Sequence, residues 1–207
     1  MKKHISLLLV TALALSFLTA CGGKLKVDEN TVYVNKKGKV TGATVESFDK
    51  EYYDEKELET YINQRVEAYT ADHDKKSVKV DGFSVADGIA KLNIVYAGYK
   101  DYAAFNEVEM FVGTIPQAMA AGYDFKDDFR AVENGEITGS ADRDTVIDDG
   151  DLKVVILNEK VNVKVQGTVR YVSARYTSLT AKDTVAIKLP EDAQDGEELA
   201  LIYIIYK

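Results

Sequence analysis

The sequence closes on "ELALIYIIYK", in which Leu199 to Tyr206 are eight successive apolar residues with no polar alternation. A bilayer-spanning helix needs about 20 residues, so this run is too short to cross a membrane. Left exposed, it would be a site for edge-to-edge aggregation. It therefore predicts a strand buried on both faces, inside a sheet, which ties this end of the sequence into a layered β structure.

The segments before it agree. "LKVVILN", "VNVKVQGTVRYVSARY" and "TVAIKL" are rich in β-branched residues and read as strands. Earlier, "TVYVNKKGKVTGATVESF" places apolar residues on both sides of Asn35-Lys36-Lys37-Gly38, predicting strands over about 31–35 and 39–47. Asp54 followed by Glu57 resembles a capping box, and Leu58, Tyr61, Ile62, Val66 and Tyr69 recur at helical spacing. Glu57, Glu59, Asn63, Gln64 and Glu67 give that helix a solvated face. "SVKVDGFSVADGIAKLNIVYAGY" suggests two more antiparallel strands, and Asp101 a cap for a helix through "YAAFNEVEMF". Thr114, Pro116 and Gly122 bracket a short third helix. From Asp124 to Asp151 the chain is polar and acidic, with Gly135, Gly139 and Gly150, predicting a boundary or a long surface loop. The fold class is α+β: mostly antiparallel sheets, two to three helices in the N-terminal two thirds, and a β-rich C-terminal part. Residues 31–147 form the α+β region and 148–207 the β-rich region, which can share one core.

Lys2 and Lys3, the apolar "HISLLLVTALALSFL" and the small residues that follow have the order of a secretory signal over residues 1–20. Leu18-Thr19-Ala20-Cys21 resembles the bacterial lipobox. That resemblance implies cleavage before Cys21, with diacylglycerol on its sulfur and, in many bacteria, an acyl chain on its new amino group. Two or three chains hold a protein on a membrane durably, where one does not. Cys21 is the only cysteine, so it reads as an anchor, and the body carries no disulfide. Residues 21–30 are a lipidated tether, whose nine residues after Cys21 reach about 30 Å when extended. Loss of residues 1–20 leaves 187 residues and moves the formal charge from -8 to -10, because Lys2 and Lys3 leave with them. So acidic a surface is a poor partner for nucleic acid. With the lipobox, "VYVNKKGKV", "FVGTIPQAMAAGYDF" and "VQGTVRYVSA…LIYIIYK", the chain resembles a group of small surface lipoproteins of Gram-positive anaerobes. The resemblance implies a location and a size class, and carries no activity.

Catalytic motifs are absent or incomplete. His73, in "TADHDKKS", is the only histidine after the signal and sits where a helix C-terminus favours it. Gly82-Phe83-Ser84-Val85-Ala86 lacks the second glycine of a nucleophile elbow. Ser47-Phe48-Asp49-Lys50 matches S-x-x-K but has no K-T-G downstream. No zinc-ligand spacing or glycine-rich phosphate loop occurs, which disfavours nucleotide chemistry. Glycosidase-type catalysis needs two acids about 5 to 10 Å apart, and among 34 acidic residues such a pair arises by chance. "ADRDTVIDDGDL" gathers Asp142, Asp144, Asp148, Asp149 and Asp151, the ligand type calcium takes, although Val146 and Ile147 break the EF-hand pattern. The solvated acidic loop is the plainer reading. Tyr52 and Tyr53, with Tyr96, Tyr99 and Tyr102, are candidates for an aromatic ligand-binding face, against the plainer role of half-buried edge residues. The expectation is a membrane-anchored, non-catalytic module binding a protein or glycan partner, without a cofactor. A cell-envelope hydrolase using paired carboxylates and a small solute receptor are the alternatives.

Overall fold

The computed structural model describes residues 25–148, 150–189 and 199–207. Its first half comprises β1 (Thr31–Val34), β2 (Val40–Ser47), α1 (Glu55–Asp72), β3 (Val78–Ala86), β4 (Ile89–Tyr96), α2 (Tyr99–Asn106), β5 (Met110–Thr114) and α3 (Ile115–Ala120). Then follow β6 (Phe129–Glu133), β7 (Glu136–Ala141), α4 (Arg143–Asp148), β8 (Lys153–Leu157) and β9 (Asn162–Val165). The remaining strands are β10 (Val169–Ser173), β11 (Thr177–Ala181), β12 (Thr184–Ile187) and β13 (Ile202–Tyr206).

Sheet A has seven strands in the order β11-β12-β9-β1-β2-β4-β3, and sheet B six in the order β5-β8-β13-β10-β6-β7. β1 and β9 run parallel, while the other neighbours are antiparallel. The class is α+β with mostly antiparallel sheets, as the sequence predicts, but with four helices among the described residues. β13 lies between β8 and β10 with all five residues buried, the position its unbroken apolar run demands.

Local signals explain most boundaries. Asp54 caps α1 by accepting from the amides of Lys56 and Glu57. Thr114 and Gln117 cap each other at the start of α3, with Pro116 in its first turn. Several details differ from the sequence reading: α2 ends at Asn106, and Met110 and Phe111, expected in that helix, open β5. Gly98 occupies the cap position of α2, so Asp101 falls inside its first turn. Asp81 sits in a bulge of β3, between Val80 and Gly82. The 124–151 segment, expected as a loop or boundary, contains β6, β7 and α4. There Phe129 and Val132 point into cores, and Asn134 and Gly135, both at positive φ, close the β6–β7 hairpin. β7 is an exposed edge strand without apolar alternation, which is why the sequence hid it.

One buried cluster joins Val32, Val34, Val163 and Val185 of sheet A to Val155, Val172, Ile202 and Ile204 of sheet B. The opposite face of sheet B is covered by α3 and α4 through Ile115, Ala118 and Val146, with Phe125 and Phe129 beside them. The β2-β4-β3 wing of sheet A is covered by helices: α1 rests on β3, and α2 meets β2, β4 and β5.

Before β1 the chain runs along the other face of that wing. Asn93 Nδ2 donates to the Leu25 carbonyl at 3.1 Å, and Lys91 Nζ donates to the Val27 carbonyl and to Asp28 at 3.1 and 3.0 Å. Strand alternation puts Lys91 and Asn93 opposite Leu92 and Ile94. Residues 25–28 thus lie on that face, and only four peptide steps separate Leu25 from Cys21, a span of about 14 Å at most.

Truncation of Ile204, fully buried in β13, is expected to lower stability by about 2–5 kcal/mol, whereas Ile137→Ala on exposed β7 should change it by about 0.5 kcal/mol or less. Urea denaturation of both variants checks the contrast, and equal losses would contradict the burial assigned to β13.

Candidate functional site: a cleft beneath α1

α1 has 18 residues, yet only Ile62 is buried. Val66 and Tyr69 in its C-terminal half pack against the main core. Its N-terminal half overhangs a cleft of about 620 Å³ instead. Gly42 and Thr44 of β2 with Leu92 and Ile94 of β4 form the floor, and Leu58, Tyr61, Ile62 and Arg65 of α1 form the roof. Phe48 and Tyr53, 4.8 Å apart ring to ring, stand at one end. No strand of sheet B contributes to the lining.

The other end is aromatic and polar. The rings of Tyr96 and Tyr102 meet edge-to-face at 5.0 Å, and Phe105 lies 5.8 Å from Tyr96. Gly42 lies beneath both rings, where a Cβ would stand 3.4 Å from each, in van der Waals contact. Tyr102 Oη donates to Glu159 Oε2 at 2.6 Å, from the loop between β8 and β9. Asn106 Nδ2 donates to Tyr96 Oη at 3.2 Å and to the Tyr102 carbonyl at 2.9 Å. Arg65 Nη2 donates to the Phe105 carbonyl at 2.9 Å, its guanidinium 4.9 Å above the Phe105 ring.

Burial dominates the electrostatics here. It pushes the Tyr96 hydroxyl up to about 12. Burial, and then the Glu159 carboxylate, raise Tyr102. Burial also raises Glu159 above its ordinary value of 4.5, while the hydrogen bond from Tyr102 pulls it down. Among the described residues no lysine or arginine lies within 4.0 Å of Glu159. A second carboxylate, Glu46, lines the cleft and accepts from Asn30 Nδ2 at 2.8 Å.

Of the candidate tyrosines, Tyr53, Tyr96 and Tyr102 line this cleft. Tyr52 is 78% exposed and touches Tyr53 ring to ring at 4.9 Å, while Tyr99 packs on Phe111 at 5.2 Å. The described members of the calcium-candidate aspartates lie outside this cleft. Asp142 accepts from the Thr145 amide at 2.7 Å at the start of α4, a bond that lowers its pKa. Asp144 lies 3.6 Å from Arg143, and Asp148 and Asp151 are exposed. Asp149 and Cys21 lie outside the described residues. Among the described residues no three His, Cys, Asp or Glu side chains converge as a metal site. His73 stacks on Tyr69 at 3.9 Å, an ordinary role at a helix end. Lys50 of the S-x-x-K match stands 3.8 Å from Asp49.

Sequence reasoning missed Arg65, Asn106 and Glu159, which no motif marks. Gly42 did carry a signal, since glycine inside a strand pattern marks a close approach. No protein-family model, curated protein or solved structure matches the chain. No helix among the described residues is long and apolar enough to cross a membrane.

Because the folded pKa of Glu159 is raised, the folded state holds that proton more tightly than the unfolded chain does. The resulting stability is complete below the ordinary value of 4.5 and is lost as pH rises through the folded value. Glu159→Gln removes that loss, so the variant should gain stability relative to the parent as pH rises above the ordinary value of 4.5 in urea unfolding. A difference that does not change with pH would contradict the burial of this carboxyl. Tyr102→Phe deletes the bond that opposes the rise, so a carbon-13 titration of the Glu159 carboxyl should move further up.

Proposed function

We propose that the chain is an extracytoplasmic lipoprotein, anchored through lipid on Cys21, and that it acts as a non-catalytic binding module whose ligand enters the cleft beneath α1. The observation that carries this reading is the cleft itself: the apolar stripe on the first half of α1 faces open space, floored by strand residues and ended by aromatic rings. Its volume lies within the range of about 300–1,000 Å³ usual for small-ligand sites. The course of residues 25–28 along the opposite face of the sheet supports the anchoring geometry. An anchor at Cys21 sits within about 14 Å of that face, so the cleft opens away from the membrane.

A hydrolase is the second reading, because two carboxylates, Glu46 and Glu159, line the one cleft, and it requires them to stand about 5 to 10 Å apart. The solute-receptor alternative draws less support, because the cleft lies between helices and one sheet and not between two lobes.

Two measurements test the proposal. Cys21→Ser should move the protein out of the membrane fraction and abolish lipid-dependent mass; retention at the mature lipidated mass would refute the anchor. On intact cells, a photo-crosslinking residue at Tyr53 should capture an adduct that Thr44→Trp, filling the cleft floor, suppresses, while a probe at exposed Glu59 captures none. Adducts unaffected by Thr44→Trp would place binding elsewhere. Turnover of a cell-wall, glycan or peptide substrate, abolished by Glu159→Gln, would replace the binding module with the hydrolase.

A further inference from the structure

We infer that the cleft beneath α1 selects a cationic amphiphile: a small molecule whose apolar body lies along β2 and β4 and whose ammonium group meets Glu159. The inference rests on the reading of this cleft as the binding site. Its basis is an imbalance at the inner end. Glu159 is half-buried, its Oε2 accepts from Tyr102, and no side-chain cation stands within ion-pair distance among the described residues. A carboxylate withdrawn from water without a countercharge is costly, so a ligand that supplies one gains on binding. A carboxylate accepts and does not donate, so the group it faces must be a donor.

The surroundings suit a cation in particular. The aromatic side chains of Tyr96, Tyr102 and Phe105 line the same end of the cleft as the carboxylate, and an ammonium near aromatic rings is stabilised further. Arg65 demonstrates that preference on Phe105, but its guanidinium is engaged with the Phe105 carbonyl and is not within ion-pair distance of Glu159. The other end is lined by Phe48, Tyr53, Leu58 and Leu92, which takes an apolar body. From Gly42 to Glu46 the floor extends about 13 Å at strand rise, room for a body of one or two rings or a short alkyl chain.

The test compares 2-phenylethylamine with its neutral isostere 2-phenylethanol by calorimetric titration of the purified full-length chain. The amine is expected to bind about tenfold or more tightly than the alcohol, the scale of a charge-assisted hydrogen bond. Glu159→Gln keeps an oxygen for Tyr102 and should remove the amine's advantage over the alcohol; Glu159→Asp, which withdraws the carboxylate, provides a second variant. Equal binding of the two probes, or an advantage that survives both substitutions, would overturn the ammonium assignment and leave the cleft an apolar site. Binding of neither probe, or binding that Thr44→Trp does not reduce, would overturn the cleft as the binding site, and this inference with it.

Discussion

The inner face of sheet A has to be kept from water across seven strands, and sheet B reaches only part of that width. Where the two sheets meet, valines and isoleucines from both fill one continuous core, with β13 at the centre of the second layer. Beyond that overlap the β2-β4-β3 wing depends on α1 and α2 for cover. α2 is short and brings Tyr102 and Phe105 down onto the sheet. α1 is long, and it seats through Ile62 near its middle and Val66 and Tyr69 beyond it. The cleft follows from this mismatch: it is the part of the sheet's apolar face that neither layer covers.

Such a gap in a close-packed protein forfeits burial for Leu58, Phe83 and Leu92, which remain only partly covered. The same gap collects the few polar groups that can give it selectivity. Glu159 is held by the Tyr102 hydroxyl, Tyr96 by Asn106, and Gly42 lies beneath both rings. These groups come from four separate segments of the chain, so their arrangement depends on the whole wing being folded. That dependence suits a preorganised site, in which the geometry exists before a ligand arrives.

Much of the fold was legible in the sequence because its signals are local. The unbroken apolar run of β13, the Asp54 and Thr114 caps, and the alternation through β2 and β4 each rest on neighbouring residues. The β6–β7 hairpin and α4 were not legible, since β7 is exposed at a sheet edge and α4 buries Val146 alone. The site was half legible. Tyr53, Tyr96 and Tyr102 stood out by composition, but Glu159 lies 57 residues from the tyrosine it holds, and only tertiary packing brings it near. The aspartate run was the most conspicuous sequence feature, and its described members serve a helix cap and a solvated surface.

α1 is seated from Ile62 onward and overhangs the cleft ahead of it. Amide hydrogen exchange along this helix tests that seating most directly, because protection follows local packing. The amides of Leu58 to Tyr61 should exchange markedly faster than those of Val66 to Thr70, with those of β13 the slowest. Uniform protection along α1, at the level of the strands beneath it, would mean that the helix is fully packed and that no open cleft exists.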